Sequence, residues 1–244
     1  MTGFATDFVP GRAARRAEFR SYGRLVRLVG RRVAQPAAGA LPVVLVPGFI
    51  SGDVSLGYLA RRLRREGFRT FPSQIGANLG CTDDMVERLL RRLDAVAAAE
   101  GRPVAVIGHS RGGMIVNLAA RRRPDLVAGV LTLSAPVTGT LSVAPHVRAQ
   151  LELLFRLNRR GFRSVIAEEC VNGACADDVV AAFALPFPPA VSYTSVYSKS
   201  DAIIDWRTCL DPAAELVEVD TSHTGMATDL MVQQLVVERL RRLA

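Results

Sequence analysis

The chain has 244 residues, of which 49% are hydrophobic, so it can bury a full core as one larger domain, with or without a small appendage. No stretch approaches the roughly 20 uncharged apolar residues that a membrane-spanning helix needs. Arginines stand at the N-terminus where a secretory signal would place its apolar segment. These features argue against a membrane-spanning or secreted protein, and we expect a soluble, cytoplasmic one.

The net charge of +8 is concentrated near the N-terminus, because residues 1–40 carry +6 of it. We therefore divide the chain into a basic arm, residues 1–40, and a folded domain, residues 41–244. Apolar residues recur in the arm at intervals of three and four with arginines between them, which predicts an amphipathic basic helix. This apolar stripe consists of Phe19, Tyr22, Val26, Val29 and Val33. Gly23 and Gly30 weaken the helix.

Three roles for the basic helix are open at this point. It could pack on the domain as a cover, contact anionic lipid peripherally through residues 12–33, or form a contact between subunits, and the oligomeric state is not predicted. Nucleic acid is not expected as a partner, because no recognised motif or set of aromatic side chains accompanies the charge.

Four cysteines in a chain of this length do not indicate a disulfide framework: Cys81, Cys170, Cys175 and Cys209. With only three histidines in the chain, no C-x-x-C pair or comparable spacing predicts a zinc site. We expect free, mostly buried thiols, and a bridge between Cys170 and Cys175 stays open as an alternative.

From residue 41 onward, short apolar runs alternate with longer amphipathic ones, which predicts an α/β fold with a mostly parallel sheet covered by helices on both faces. The predicted strands are Leu41–Val46, Phe68–Phe71, Val104–Ile107, Leu126–Leu133, Val191–Tyr197 and Leu216–Val219. The predicted helices are Leu56–Arg65, Asp83–Ala99, a helix from Ser110 to about Arg123, and Thr228–Leu243.

Residues 138–190 are too many for a plain loop between two strands, and we interpret them as an inserted helical cap. One helical stretch in the cap has its apolar side formed by Val147, Leu151, Leu154 and Phe155, with Asn158 next along it. The cap ends in the proline-rich segment 185–189, which cannot continue a helix and must return extended to the sheet.

The pentapeptide Gly108-His109-Ser110-Arg111-Gly112 lies between an apolar strand and a helical pattern, and it nominates Ser110 as a nucleophile. A serine on a sharp turn between strand and helix exposes its hydroxyl, and glycines two positions on either side remove side chains that would collide there. The alternative is that Ser110 merely caps the following helix.

A serine hydroxyl needs a base, and the chain offers three histidines. His109 precedes the nucleophile and should point away from it, while His146 lies in the cap and is expected at the surface. His223 follows the last strand, at the carboxyl edge of the sheet where Ser110 also lies. We therefore predict His223 as the base.

The base in turn needs a carboxylate, and Asp201 follows the preceding strand at the same edge. Asp205 and Asp220 are alternatives if the loops turn differently. The predicted order Ser110, Asp201, His223 is the order expected of an α/β-hydrolase triad.

An oxyanion would need backbone N–H donors, which we place at Arg111, after the nucleophile, and at Phe49 in the turn after the first strand. Ile50 is the alternative to Phe49.

On these motifs the chain resembles the α/β-hydrolase superfamily, and within it small bacterial lipases and esterases. The matching segments are 43–49, 108–113, 197–201 and 222–225. The resemblance implies a triad of Ser110, Asp201 and His223 with oxyanion donors at Phe49 and Arg111. One departure is Pro47-Gly48, where many relatives have His-Gly. The basic arm lies outside the resemblance.

The expected function is hydrolysis of carboxylic esters of apolar character through an acyl-enzyme on Ser110, with a small-molecule ester or lipid as substrate and without a cofactor or metal. Two alternatives are an acyltransferase that uses the same triad and a non-catalytic protein, ligand-binding or membrane-tethered, on a hydrolase scaffold. Neither the natural substrate nor its acyl chain length follows from the sequence.

Overall fold

A computed structural model describes residues 8–27, 33–139 and 141–244. Its described residues form one sheet of six parallel strands in the order β2-β1-β3-β4-β5-β6. The strands are β1 (Pro42–Val46), β2 (Arg69–Pro72), β3 (Val104–His109), β4 (Val127–Leu133), β5 (Ser192–Tyr197) and β6 (Glu215–Glu218). This is the predicted fold class, and every strand lies within two residues of its predicted bounds.

Helices connect the strands and cover both faces of the sheet. They are α1 (Arg12–Arg27), α2 (Gly57–Arg65), α3 (Thr82–Glu100), α4 (Arg111–Arg122), α5 (Pro145–Arg159), α6 (Glu169–Asn172), α7 (Ala174–Ala184) and α8 (Leu230–Arg241). None of the helices in the described ranges is long and apolar enough to cross a lipid bilayer.

The central strands are apolar along their whole length because both faces of the sheet are covered. In β1, Val44 and Val46 belong to the core packed against α3 and α4. Their neighbours Val43 and Leu45 face the opposite core, which includes buried residues of α2 and α8. The alternation of side chains along each strand thus divides one apolar run between two cores.

The segment between β4 and β5, which the sequence predicts to be a cap and which we call the cap, contains α5, α6 and α7. Leu151 and Phe155 on α5 are buried together with Ile166, and Phe49 from the loop after β1 packs against this cluster. The cap therefore packs on a loop at the carboxyl edge of the sheet. Helix α7 ends at Ala184, before the proline-rich segment.

The basic arm contains α1, which contacts the loop between β6 and α8. Glu18 is buried there, whereas Phe19 of the apolar stripe is 83% exposed. Among the side chains of α1 that the structure describes, residues 12–21, the one buried against the domain is thus polar. Val29 and Gly30 lie outside the described residues, as do the side chains of Tyr22 and Val26, while Gly23 lies within α1.

All four cysteines are free, so the Cys170–Cys175 bridge is not formed. The expectation of mostly buried thiols is wrong. Cys209 is buried, but Cys81, Cys170 and Cys175 are partly exposed, because they lie where the cap meets the domain and not in either core of the sheet.

Candidate active site

Ser110 occupies the turn between β3 and α4 with φ 54° and ψ −127°, a backbone conformation that L-residues rarely adopt. Such strain costs on the order of 1–3 kcal/mol and persists only where the surroundings hold it. Here the N–H of Ser110 donates to the carbonyl of Leu133 at 2.9 Å, and its carbonyl accepts from the N–H of Gly113 at 2.8 Å. The turn is therefore anchored on β4 and at the start of α4.

Two glycines of the motif permit close packing of α4 on the sheet. A Cβ atom on Gly108 would collide with the backbone of Gly112, and one on Gly112 would collide with the carbonyl of Val46 in β1. Because the obstacles are backbone atoms, no side-chain movement could relieve either collision. The glycines two positions before and after Ser110 are therefore required by the packing of α4 against the sheet.

Asp201 and His223, from loops after neighbouring strands, meet in a buried pair. The Nδ1–H of His223 donates to Oδ2 of Asp201 at 2.7 Å. The other oxygen, Oδ1, accepts from the N–H groups of Ile203 and Ile204 at 2.7 and 3.0 Å. Both carboxylate oxygens are thereby engaged, and the imidazole is held in one orientation with its Nε2 facing away from Asp201.

In this buried pair, each partner stabilises the charged form of the other. Burial alone would raise the pKa of Asp201, but the charge and hydrogen bond of His223, with the two backbone donors, hold that pKa below its ordinary value. Burial would likewise lower the pKa of His223, yet the charge and hydrogen bond of Asp201 and the charge of Glu18 raise it. The pair therefore stabilises the imidazolium form of His223 more than water does, which is the form that a general base takes on when it accepts a proton.

The two alternative acids have other partners. Asp205 accepts from the backbone N–H of Arg207 at 3.0 Å and so caps a short 3-10 turn. Asp220 accepts from the hydroxyl of Ser200 at 2.8 Å. Among the carboxylates in the described residues, Asp201 is the one hydrogen-bonded to the ring of His223.

His109 supports the loop of His223 through its ring. The Nε2–H of His109 donates to the carbonyl oxygen of His223 at 2.9 Å, and the two ring centroids are 4.7 Å apart. Burial, and then the nearby charge of His223, lower the pKa of His109 to about 3, so this imidazole is neutral near pH 7. His146 is exposed at the start of α5, although it borders the cavity.

Phe49 and Arg111, the predicted oxyanion donors, both line the cavity that Ser110 lines. Within the described residues, neither backbone N–H donates to a protein acceptor. Ile50, the alternative, is not among the residues that line the cavity, and it is 46% exposed. An oxyanion site requires backbone N–H groups without a protein acceptor, and the oxyanion role of Phe49 and Arg111 stays a prediction.

The buried side chain of Arg111 joins the two predicted donor segments, a role that the sequence analysis missed. Its guanidinium donates to the backbone oxygen and side-chain oxygen of Asn78 at 2.8 and 3.0 Å, to the carbonyl of Gly80 at 2.6 Å and to Thr82 Oγ1 at 3.2 Å. Asn78 in turn donates to the carbonyl of Pro47 at 2.7 Å. No sequence pattern marks Asn78 for this position.

Glu18 of α1 contacts the loop of His223, and the sequence analysis missed this contact too. Its carboxylate accepts from the N–H of His223 at 2.9 Å and from the N–H of Thr224 at 2.7 Å. Beside it, the hydroxyl of Ser222 donates to Ser21 at 2.7 Å. The one signal available was that Glu18 is the single acidic residue in the stretch 12–33.

Ser110 and His223 open onto one cavity of about 390 Å³ between the domain and the cap. Most of its wall is apolar, and the apolar residues from the cap include Leu141, Val147, Leu151, Ile166, Val171 and Val179. A ligand that enters this cavity would place its apolar part against the cap and its reactive group at the carboxyl edge of the sheet.

Two curated proteins match parts of the chain. A triacylglycerol lipase of Vibrio cholerae is 33% identical over 113 residues, which is 44% of this chain and 36% of the lipase. A bis(hydroxyethyl) terephthalate hydrolase of Streptomyces coelicolor is 34% identical over 95 residues, 36% of this chain and 31% of that protein. The match thus spans about a third of the length of these relatives.

Solved structures show the same fold. A lipase of Bacillus licheniformis in its mature form superposes with a TM-score of 0.64 at 15% identity, covering 86% of this chain and 96% of that one. A monoacylglycerol lipase of Paleococcus ferrophilus has a TM-score of 0.60 at 18% identity, covering 88% and 100%. The sequence profile described as the alpha/beta hydrolase family matches residues 43–244. With most of its length matched by this profile, the chain belongs to the alpha/beta hydrolase family.

Proposed function

We propose that the protein is a serine hydrolase that cleaves carboxylic esters through an acyl-enzyme on Ser110. The observation that carries this proposal is the buried Asp201–His223 pair, because His223 borders the same apolar cavity as a serine held on a strained turn. A nucleophile, a base and an orienting carboxylate are the groups that serine-type acyl transfer needs.

In the proposed reaction, His223 removes the proton of Ser110 as Oγ attacks the ester carbonyl carbon. The carbonyl π electrons move to oxygen, and that oxyanion accepts from the N–H groups of Phe49 and Arg111. His223 then protonates the departing alkoxide as the ester C–O bond breaks. Water, deprotonated by the same imidazole, attacks the acyl-enzyme and releases the acid and the free serine. Asp201 stabilises the imidazolium in both halves.

The apolar cap wall favours an ester with an apolar acyl or alcohol group. Each methylene buried there contributes about 0.8 kcal/mol, or roughly a fourfold gain in kcat/KM, until the cavity is full. The relatives named as a triacylglycerol lipase and a monoacylglycerol lipase are consistent with such substrates.

The test combines active-site labelling with an ester series. A fluorophosphonate probe should label the full chain and a Ser192→Ala control, an exposed serine at the start of β5, but not Ser110→Ala. p-Nitrophenyl esters of increasing acyl length should give rising kcat/KM up to a maximum, with free acid as the product. Labelling of Ser110→Ala equal to that of the control would refute the assignment of the nucleophile.

Added alcohol separates this function from acyl transfer. If the protein is a hydrolase, the free acid stays the main product when alcohol is added at millimolar concentration. If the acylated alcohol becomes the main product, the protein is an acyltransferase that uses the same intermediate, and hydrolysis is not its principal reaction.

A further inference from the structure

Three thiols meet at the junction between the cap and the domain. Cys81 immediately precedes α3, Cys170 lies in α6 and Cys175 lies in α7. Their Sγ atoms all lie within 4.8 Å of one another, and those of Cys81 and Cys175 are 3.3 Å apart. Within the described part of the chain, this is the one group of three or more side chains spaced to share a metal ion.

We propose that Cys81, Cys170 and Cys175 bind a Zn²⁺ ion that joins the cap to the domain. Zinc–thiolate bonds of about 2.3 Å in a tetrahedral arrangement place the sulfur atoms about 3.8 Å apart. The observed spacing, 3.3 Å for one pair and at most 4.8 Å for any pair, brackets that value. A disulfide would pair two of the sulfurs at about 2.05 Å and leave the third without a role.

The surroundings supply positive charge for thiolate ligands. Cys81 is the N-cap residue of the 19-residue helix α3, so its thiol lies near the positive end of the helix dipole. The guanidinium of Arg111 is near all three thiols and donates to Gly80 and Thr82, the residues on either side of Cys81. Three thiolates, one Zn²⁺ and one guanidinium together have no net charge, which makes the partly buried site electrostatically favourable.

The proposed ion takes no part in the proposed ester chemistry, which uses no metal. Cys170 and Arg111 also line the cavity, so the ion would fix two cap helices at the cavity wall. Only three protein ligands are assigned, which leaves the fourth zinc position to solvent.

The experiment uses the full chain, reduced and freed of metal by chelation. Addition of Co²⁺ as a spectroscopic probe should produce thiolate-to-cobalt charge-transfer absorption that saturates at one ion per chain, and Zn²⁺ should displace it. Zn²⁺ binding should weaken by more than roughly 100-fold in each of three variants, Cys81→Ser, Cys170→Ser and Cys175→Ser. Replacement of a residue that only supports a metal ligand typically weakens binding by roughly 10–100-fold. Cys209→Ala, which removes the buried thiol outside the cluster, should bind like the parent.

Absence of stoichiometric Zn²⁺ binding by a chain with all four thiols reduced, as counted by thiol titration, would overturn the proposal. Binding of Cu⁺ without binding of Zn²⁺ would also overturn it. A disulfide between two of the three cysteines in the isolated protein, with no metal binding after reduction, would show that the cluster is a redox pair. Because metal content and spectra are the readouts, the result is independent of esterase activity.

Discussion

Removal of the Glu18 carboxylate should damage the candidate active site from outside the cavity. Glu18 lies in α1, 205 residues from His223, yet it accepts the N–H groups of His223 and Thr224. A hydrogen bond to a charged group contributes about 1.5–3 kcal/mol, so two such bonds correspond to about 3–6 kcal/mol if the amides stayed dry. Water that enters the vacated space would hydrate the two amides. We therefore expect Glu18→Ala to lower the free energy that holds the loop of His223 in place by about 3 kcal/mol, the lower end of this range.

Two measurements test this expectation. A loss of about 3 kcal/mol should speed hydrogen exchange of the His223 and Thr224 amides by about 10²-fold. Displacement of the loop should lower kcat/KM by a similar factor, since a misplacement of about 1 Å can cost 10²-fold. Glu18→Gln keeps one acceptor and should lie between Glu18→Ala and the parent. Arg20→Ala, an exposed change in the same helix, should leave both quantities unchanged.

The pH profile adds a readout that a purely structural role would not move. Glu18 is one of the groups that raise the pKa of His223, and the base must be neutral to act. Loss of that charge in Glu18→Gln lowers this pKa, so the acid limb of kcat/KM should move to lower pH. If Glu18→Ala retains the parent activity, amide protection and acid limb, the contact does not hold the loop and the reasoning fails.

Further predictions concern the triad and its supports. Asp201→Asn should lower kcat by about 10³–10⁴-fold and shift the acid limb to lower pH, whereas Asp205→Asn should keep most activity; the reverse pattern would reassign the acid. In the parent, the raised pKa of His223 should place the midpoint of the acid limb above 6.5, and a midpoint below that value would contradict the pairing. Asn78→Ala breaks the link from Pro47 to Arg111 and should lower kcat about tenfold or more with little change in KM, as measured by steady-state kinetics; an effect on KM alone would exclude an oxyanion role.

Much of the fold could be predicted from local patterns. Alternation of short apolar runs with amphipathic ones predicted each strand to within two residues. In the central strands β1, β3 and β4 the reason is that burial on both faces imposes a nearly continuous apolar run. The turn at Ser110 was also predictable, since its glycines stand beside the serine in the chain. Structure that depends on residues close together in the chain can be predicted from a short stretch of sequence.

The partner of His223 could not be decided in this way. Asp201, Asp205 and Asp220 all lie in loops at the same edge of the sheet, and the path of each loop determines which carboxylate reaches the imidazole. Asp201 is held toward it by the N–H groups of Ile203 and Ile204, whereas Asp205 turns to cap the 3-10 turn that begins at Trp206. Several loop conformations satisfy the same sequence pattern, and packing selects one of them.

Contacts between distant segments were decided by the tertiary structure alone. Glu18 reaches the loop of His223, and Cys81 lies beside Cys175 across 94 residues of chain. In the sequence, Glu18 was notable only because it lowers the net positive charge of the arm, and the cysteines had no spacing typical of metal ligands. The sequence by itself determined the sheet, the helices that connect its strands and the turn at Ser110, because these follow from periodicity and steric rules within short segments. The packing of the arm and cap on the domain decided which polar groups meet, because that depends on the positions of whole elements in space.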